Sequence, residues 1–477
     1  MSSLDAAQLI YLVSAVLFII GLKRMTRVRS ARNGNVLSGV AMLLAVVGAL
    51  IEYQIVHYQW IIAGGVVGGL IGAVAAMRVP MTKIPEMVAI FNGFGGAASA
   101  VVAASVLWQK VIEPNKLNAT VAAQLGSAEG VTLFLSIIIG GVTLSGSLVA
   151  YGKLAGNISG KPILLPGRHF INALLFLGSV GLGVYMTFMT PLASDSATLC
   201  MVLGGVSIVF GIMLVLPIGG ADMPVVISLL NSYSGVAASA TGFVIGNNVL
   251  IISGAMVGAA GLILTQIMCV AMNRSLANVI FGGFGAEETK TGGGGGEYVN
   301  VTSCGVEEAA MILENAETMI VVPGYGLAVA QAQHAVRELA DLLEANNCEV
   351  RYAIHPVAGR MPGHMNVLLA EADIPYEQLV EMDAINSDFA NTDVALVIGA
   401  NDVVNPAALD DKESPIYGMP ILEVHHAQTV FVIKRGLGSG FAGVKNVLFE
   451  RDNTMMVFGD AKKVLQGLTA ELKETLR

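Results

Sequence analysis

The feature that most constrains this chain is a series of nine apolar runs, each about long enough to cross a lipid bilayer. A transmembrane helix needs roughly 20 consecutive, mostly apolar residues. Such runs fall near residues 4–22, 35–51, 59–77, 86–108, 130–151, 170–190, 197–217, 223–245 and 249–271. We therefore expect an all-α transmembrane helix bundle of about nine spans over residues 1–275.

Charge divides the chain into two parts of different character. Residues 1–286 carry 13 Lys and Arg against 7 Asp and Glu, whereas residues 287–477 carry 13 against 28. The first part is typical of a membrane domain, and the second predicts a strongly acidic, soluble domain. An acidic domain repels phosphate backbones, which argues against nucleic acid as a partner.

Basic residues in the loops predict the orientation of the spans. With the N-terminus outside, the cytoplasmic segments hold eleven Lys and Arg and the outside loops hold two. Cytoplasmic loops of membrane proteins carry the excess of Lys and Arg. The odd number of spans then delivers the C-terminal domain to the cytoplasm.

Few polar residues interrupt the spans, and no ionisable side chain is expected near the centre of any of them. Asn92 lies in the fourth span, Asp222 starts the eighth, Asn231 lies within the eighth, and Arg274 follows the ninth. Asp222 before Met-Pro also suits a helix N-cap. The two asparagines are either hydrogen-bonding links between helices or the lining of a hydrated path.

A glycine-rich segment separates the two parts. Residues 276–300 contain five consecutive glycines and predict a flexible linker, with or without a functional motion of the domain that follows. The four cysteines have no pairing rhythm and no CxxC spacing, so we expect no disulfide and no metal site.

Residues 301–477 predict a soluble α/β, doubly wound parallel sheet of the Rossmann-like class. Strands are expected at 319–323, 349–354, 394–398, 429–433 and 454–458, alternating with helices. The first strand runs into Gly324-Tyr-Gly326 and then into one helix with apolar positions at Val329, Val336, Leu339 and Leu343. A Gly-x-Gly turn between strand and helix brings backbone amides against a pyrophosphate, although a turn without a ligand remains possible.

The residues at the strand ends favour NADP(H) over NAD(H). An NAD site usually has an acid near the end of the second strand, but Ile354 is followed by His355 and Pro356. Lys434 and Arg435 instead follow the strand at 429–433, where paired cations suit a 2′-phosphate. A solvated charge pair is the alternative. Two polar loops, at 359–366 and 399–406, follow strands and are expected at the same carboxyl edge of the sheet.

Several segments together resemble the β subunit of proton-translocating NAD(P) transhydrogenase. They are Gly219-Gly-Ala-Asp-Met-Pro224, Leu230-Asn-Ser-Tyr-Ser-Gly235, Met272-Asn-Arg-Ser275, Gly324-Tyr-Gly-Leu-Ala-Val329, His355-Pro-Val-Ala-Gly-Arg-Met-Pro-Gly-His-Met-Asn366, Gly399-Ala-Asn-Asp402 and Lys434-Arg435. Several are long and distinctive, and the nine-span architecture covers the remainder.

The resemblance implies reversible hydride transfer between NADH and NADP⁺ coupled to proton translocation. It implies that this chain carries the NADP(H) site, that a separate α subunit carries the NAD(H) site, and that α–β units form a dimer in the bacterial inner membrane. The residues it assigns to cofactor binding are Gly324, Tyr325, Gly326, Ala328, Val329, Arg360, Gly363, Asn401, Asp402, Lys434, Arg435, Gly440 and Phe441.

The resemblance also assigns roles in coupling. The resemblance implies that Asp402 is the catalytic residue, a carboxylate that acts in a conformational change or senses pH. Asp222 and Arg274 are implied to couple the soluble domain to the bundle, and Asn231 to lie on the proton route.

Three positions depart from the family pattern. Asn92 stands where many members have His and cannot titrate near neutral pH, so a histidine of the partner subunit is expected to do so. Phe441 stands where many relatives have Tyr, and Gly436 replaces a serine that often helps hold the phosphate.

Two other classes of protein remain alternatives at this point. One is a channel or transporter with a nucleotide-sensing domain, which generally keeps the acidic ribose ligand that is missing here. The other is a structural membrane subunit with a degenerate nucleotide fold, which would bind no dinucleotide.

Overall fold

A computed structural model describes residues 3–26, 28–52, 58–112, 127–160, 162–188, 193–273, 275–280, 298–361, 363–440 and 442–475. The chain divides into two compact units. The membrane unit comprises 1–265 with 279–283, and the soluble unit comprises 266–278 with 284–477. Most of the predicted linker at 276–300 lies outside the described residues, as do Arg274 and Phe441.

Nine helices in the described part of the chain are long and apolar enough to cross a membrane, which confirms the predicted spans. They are α1 (Ser3–Met25), α2 (Val28–Glu52), α3 (Tyr58–Arg78), α4 (Ile84–Leu107), α5 (Ser127–Leu154), α6 (Arg168–Phe188), α7 (Ala193–Val215), α8 (Met223–Ile245) and α9 (Asn248–Ala271). A π-helical turn, Trp108–Ile112, continues α4, and the short α10 (Leu276–Ile280) follows α9.

The centre of the membrane unit is α5, which packs against α4, α7 and α8. Small residues permit this packing. A Cβ on Gly96 of α4 would lie 2.7 Å from the Thr143 Cβ and 2.8 Å from the Gly140 carbonyl of α5. In lipid the hydrophobic effect does not drive helices together. Small residues on the facing surfaces let the helix backbones approach closely, and this packing stabilises the contact.

The glycines of α3 do not take part in such packing. The stripe at positions 64, 65, 68, 69 and 72 has no other part of the described chain within 4 Å of where a Cβ would stand, and α3 has no buried residue. Close packing at glycines is therefore found in other helices, including α4, α5, α8 and α9, but not in α3.

The soluble unit contains a seven-stranded parallel sheet in the order β1-β7-β6-β5-β2-β3-β4. Its strands are β1 (Thr302–Ser303), β2 (Thr318–Pro323), β3 (Glu349–Ile354), β4 (Leu379–Glu381), β5 (Val394–Ile398), β6 (Thr429–Lys434) and β7 (Thr454–Phe458). The five predicted strands are confirmed, and every residue of β5 is buried, as parallel strands require. β1 and β4 were not predicted because two or three residues show no periodicity.

Helices alternate with these strands. They are α11 (Val306–Glu314), α12 (Tyr325–Val329), α13 (Gln333–Ala345), α14 (His364–Glu371), α15 (Met382–Ile385), α16 (Ala407–Asp410) and α17 (Ala461–Thr475). Strand order reverses direction between β2 and β5, because β3 and β4 continue on one side and β6 and β7 on the other. Such a topological switch point opens a crevice at the carboxyl ends of the strands.

The single helix predicted after Gly326 is wrong in one respect. Gln331 adopts a left-handed conformation with φ 48°, so the chain turns after α12 and starts again as α13. Val336, Leu339 and Leu343 are buried in α13 as expected, whereas Val329 is 43% exposed in α12. The apolar repeat continues through the break and therefore could not reveal it.

Candidate functional site

A cavity of about 390 Å³ lies at the switch point of the sheet. Its lining includes Gly326 after β2, Gly399 after β5, and Lys434 with Arg435 at the end of β6. Val329, also predicted from the sequence, lines it from α12. The volume is within the range of roughly 300–1,000 Å³ that small-molecule sites occupy.

The glycines after β2 hold two loops together. Gly324 N–H donates to the Ile398 carbonyl at 2.9 Å, and Gly326 N–H donates to the Gly399 carbonyl at 3.0 Å. A Cβ on Gly326 would come within 2.6 Å of the Gly399 Cα, and Gly399 itself has φ +65°. These two amides are therefore used within the fold. Gly326 also lines the cavity, and the place of its missing side chain is taken by the Gly399 backbone.

Lys434 is built into the cavity wall rather than extended into solvent. Its ammonium donates to the Gly438 carbonyl and lies 5.0 Å from the centre of the Phe449 ring. With its amide oxygen turned toward Lys434, Asn401 accepts from this ammonium at 3.2 Å and from Gly440 N–H at 2.6 Å. Burial lowers the pKa of Lys434 from its usual value, and the charge of Asp402 opposes that shift.

Arg435 differs from its neighbour. It is exposed, and it lines the same cavity. A guanidinium keeps its charge at all physiological pH values and can bind a phosphate through two N–H groups at once. Of the two cations, Arg435 is therefore the one available to a ligand without rearrangement.

Asp402 fastens the glycine-rich loop that follows β6. Its Oδ2 accepts from Ala442 N–H at 2.9 Å. A Cβ on Gly440 would lie closer than 3.0 Å to Oδ1, Cγ and Oδ2 of this carboxylate. The loop at 436–440 contributes Gly436, Gly438 and Ser439 to the cavity wall. Asp402 therefore contacts the loop that forms one wall of the cavity.

A second group of predicted residues surrounds Tyr325, at the start of α12. The guanidinium of Arg360 lies 4.4 Å from the centre of the Tyr325 ring, and the His364 ring centre lies 6.2 Å from it. Arg360 N–H donates to His364 Nδ1 at 3.0 Å. Gly363, with φ +67°, turns the chain into α14. The residues that line the described cavity do not include this group.

Two histidines between β3 and α14 are buried, and neither was predicted to have a role: His355 directly follows β3, and His364 is the first residue of α14. His364 is 1% exposed, and burial followed by the Arg360 charge lowers its pKa. His355 is 2% exposed, its Nε2 lies 2.9 Å from the Pro420 carbonyl, and burial lowers its pKa to about 4. Both imidazoles are therefore neutral at physiological pH.

Gly399 and Asp460 also line the cavity and were not among the predicted site residues. Asp460 comes two residues after β7. Both could have been found from the sequence, since each follows a predicted strand and the carboxyl ends of parallel strands share one edge of the sheet.

In the membrane unit, Asn92 is 6% exposed and its Nδ2 donates to the Ile227 carbonyl of α8 at 3.2 Å. Asn231 lies one turn farther along α8 and is half-buried. Asp222 stands at the N-cap position of α8, but its side chain makes no capping hydrogen bond. The expected capping interaction is thus not formed.

Lys153 is one of the eleven basic residues that were assigned to cytoplasmic segments. It lies in α5, is 5% exposed, and donates to the Leu216 and Ile218 carbonyls at 2.6 Å each. A cation at the C-terminal end of a helix is favoured by the helix dipole and by the carbonyls that lack a partner there. Lys153 thus joins α5 to the segment that leads from α7 to Asp222.

The fold and the cavity define a multi-pass membrane protein that carries a Rossmann-like domain. The family model described as "NAD(P) transhydrogenase beta subunit" matches residues 7–471. Two relatives from Rhodospirillum rubrum, both described as NAD(P) transhydrogenase subunit beta, are 49% identical over 458 residues, covering 96% of this chain and 97% of each relative.

The chain therefore belongs to the NAD(P) transhydrogenase β-subunit family. It is a subunit of an oxidoreductase that acts with a partner subunit. The resemblance read from its motifs is confirmed, and neither a nucleotide-sensing channel nor a purely structural subunit agrees with it.

Proposed function

We propose that the cavity at the β2–β5 switch point binds NADP(H), and that hydride passes between it and NAD(H) held by the partner α subunit. The observation that carries this proposal is that Lys434 and Arg435 line the same cavity as Gly326 and Gly399, the glycines that follow β2 and β5. An extra phosphate group gives such a pair a partner that NAD(H) lacks.

The end of β3 supports the choice of NADP(H). An NAD site would place a carboxylate there for the ribose 2′-hydroxyl. In this chain the next residue is His355, which is buried and paired with the Pro420 carbonyl. Asp460 lines the cavity from the β7 side, which is not the position of that acid.

The chain's own residues fix geometry rather than supply acid or base chemistry. The bound nicotinamide carries the hydride, and the protein holds and orients it. Gly326 and Gly399 let the two loops that line the cavity approach each other closely, and Arg435 holds the 2′-phosphate. The loop at 436–440 covers the ligand while Asp402 holds Ala442 and Gly440 in place.

Asp402 is the carboxylate through which proton movement and cofactor binding are linked. Protonation removes the charge that faces Lys434 and weakens the bond from Ala442 N–H. The loop would then be held less firmly. By reciprocity, a cofactor state that favours the loosened loop favours proton uptake.

Protons cross the bundle along α4 and α8, past Asn92 and Asn231, and Asp222 with Arg274 couples that movement to the soluble domain. The contact between Asn92 and the Ile227 carbonyl supports this route, because it brings a buried amide to the turn before Asn231. A histidine of the partner subunit supplies the titrating group.

The excess of basic residues in the inner loops supports an orientation with the N-terminus outside and the NADP(H) domain in the cytoplasm. We place the protein in the inner membrane of a bacterium, surrounded by lipid, as a dimer of α–β units.

The proposal is tested by titrating the purified full-length chain with NADPH and with NADH. We expect NADPH to bind much more tightly. A charge-assisted hydrogen bond contributes roughly 1.5–3 kcal/mol, so Arg435→Gln should weaken NADPH binding about 10- to 150-fold and leave NADH binding unchanged. Lys412→Gln is the matched control, since Lys412 is exposed and does not line the cavity.

Equal affinities for NADPH and NADH in the wild-type chain would contradict the assignment of the cofactor. An equal loss of both ligands in Arg435→Gln would show that this side chain stabilises the loop and does not contact the 2′-phosphate.

A further inference from the structure

A second cavity, of about 700 Å³, lies within the membrane unit among α5, α6, α7, α8 and α9. Its walls are mainly apolar and include Ile139, Phe176, Phe210, Leu214, Val236 and Leu262. Phe176, Val236 and Leu262 are exposed, so the cavity opens through the apolar outer surface of the helices. A ligand would enter it from the hydrocarbon of the bilayer.

One end of this cavity is polar. Arg168 and His169, the first residues of α6, both line it, and Arg168 Nε donates to His169 Nε2 at 3.2 Å. This bond holds the guanidinium at the cavity while leaving its other N–H groups for a ligand. No carboxylate lies within ion-pair distance of Arg168 among the residues that the structure describes.

Asn172 lines the cavity one turn deeper. Its Oδ1 is removed from solvent and has no hydrogen-bond partner within the described chain. Buried polar atoms are nearly always paired, so this oxygen indicates a missing donor. The cavity thus presents a cation that lacks an anion and an acceptor that lacks a donor, next to an apolar channel.

We propose that this cavity binds one anionic phospholipid whose head group carries a hydroxyl. The phosphate pairs with the Arg168 guanidinium, the head-group hydroxyl donates to Asn172 Oδ1, and an acyl chain fills the apolar part. Basic pockets between transmembrane helices near a membrane surface are typical sites for anionic head groups. A phosphatidylcholine head group has no hydroxyl or N–H to donate.

The polar end of the cavity favours an anionic lipid over an apolar membrane helix of the partner subunit, because apolar side chains would leave the Arg168 guanidinium and Asn172 Oδ1 without partners. The long apolar wall favours a lipid over a free phosphate ion, which has no apolar part to bury.

The test uses the purified α–β complex, with bound lipid measured by native mass spectrometry. The complex is stripped of lipid and then supplied with phosphatidylglycerol, with phosphatidylcholine of the same acyl chains, or with inorganic phosphate. We expect about one phosphatidylglycerol per copy of this chain, no comparable retention of phosphatidylcholine, and no displacement of the bound lipid by inorganic phosphate.

Two variants probe the two ends of the site. Arg168→Gln should lower phosphatidylglycerol affinity roughly tenfold or more, because it removes a charge-assisted bond to phosphate. Ala173→Trp should fill the channel and abolish retention, since Ala173 lines it. The matched controls, Arg78→Gln and Leu177→Trp, change exposed residues that do not line the cavity and should retain the lipid.

The proposal is overturned if Arg168→Gln and Arg78→Gln retain phosphatidylglycerol equally, or if both lipids are retained alike. It is also overturned if inorganic phosphate displaces the lipid, which would show an anion site alone. A cross-link from residue 176 to a helix of the partner subunit would show that protein covers the cavity. Arg168→Gln leaves the packing of the helices intact, so the result does not depend on whether Ala173→Trp folds.

Discussion

Replacing Gly440 by Ala tests whether Asp402 controls the loop over the dinucleotide cavity. The new Cβ would lie closer than 3.0 Å to three atoms of the Asp402 carboxyl group, so the carboxylate or the loop must shift. The bond that is lost is the one from Ala442 N–H to Asp402 Oδ2, now 2.9 Å long.

The magnitude follows from the kind of bond. A hydrogen bond to a charged group contributes roughly 1.5–3 kcal/mol, which changes the population of the fastened loop about 10- to 150-fold. Because apparent affinity scales with the fraction of competent protein, NADPH binding should weaken by up to the same factor. Calorimetric titration of the full-length chain measures it.

A double-mutant cycle isolates the contact between Gly440 and the Asp402 carboxylate. With Asp402 changed to Ala, the extra methyl group at position 440 meets no carboxylate and should cost less than roughly 0.5 kcal/mol. Gly178→Ala in α6 is the control, since a Cβ there has nothing within 4 Å and Gly178 does not line the cavity. If Gly440→Ala binds NADPH like the wild type, or if its effect is the same with and without the Asp402 carboxylate, Asp402 does not hold the loop in the way described here.

Three further results are expected. Lys153→Met should lower the free energy of unfolding in detergent by roughly 1–3 kcal/mol, because two backbone carbonyls lose their donor. Lys153→Arg should retain most of that free energy. Exposed Lys83→Met is the control, and an equal shift in both Met variants would refute the role of Lys153. Burial lowers the pKa of His355 from 6.5 to about 4, so the neutral imidazole is favoured in the folded state. The free energy of unfolding of the soluble unit should therefore be highest above pH 6.5 and fall by up to roughly 3 kcal/mol as the pH drops toward 4. Urea titrations in which His355→Gln shows the same pH dependence as the wild type would count against this. Asn92→Ala should reduce proton pumping in vesicles more than it reduces hydride transfer, and wild-type rates of both would remove Asn92 from the proton route.

The sequence alone separates the membrane part from the soluble part, because the division depends on whether lipid or water surrounds each segment. Each span needs enough apolar residues to cross the hydrocarbon, and the soluble part needs an excess of charge, so hydropathy and charge counts identify them without any tertiary contact. The parallel strands were equally accessible, because strands buried on both faces are continuous apolar runs such as Val394–Ile398.

The sequence predicted the location of the site but not the contacts of its side chains. Parallel strands end on one edge, so Gly326, Lys434 and Arg435 were expected to meet there, and they line one cavity. That Lys434 is held in the wall while Arg435 remains exposed depends on Asn401, Gly438 and Phe449, which are distant or inconspicuous in the sequence. The break at Gln331 was also hidden, because helical periodicity continues across it.

The sequence by itself therefore determined the solvent of each segment, the strands, and the family to which the chain belongs, since these depend on local composition and local order. Only the tertiary structure decided which buried polar atoms meet. The sequence does not show that Lys153 of α5 meets the carbonyls at the end of α7. It singles out Asp402 through the family resemblance, but it does not show that Gly440 and Ala442 pack against this carboxylate. The physical reason is that a buried charge depends on partners brought from elsewhere in the chain, and a linear pattern contains no record of that approach.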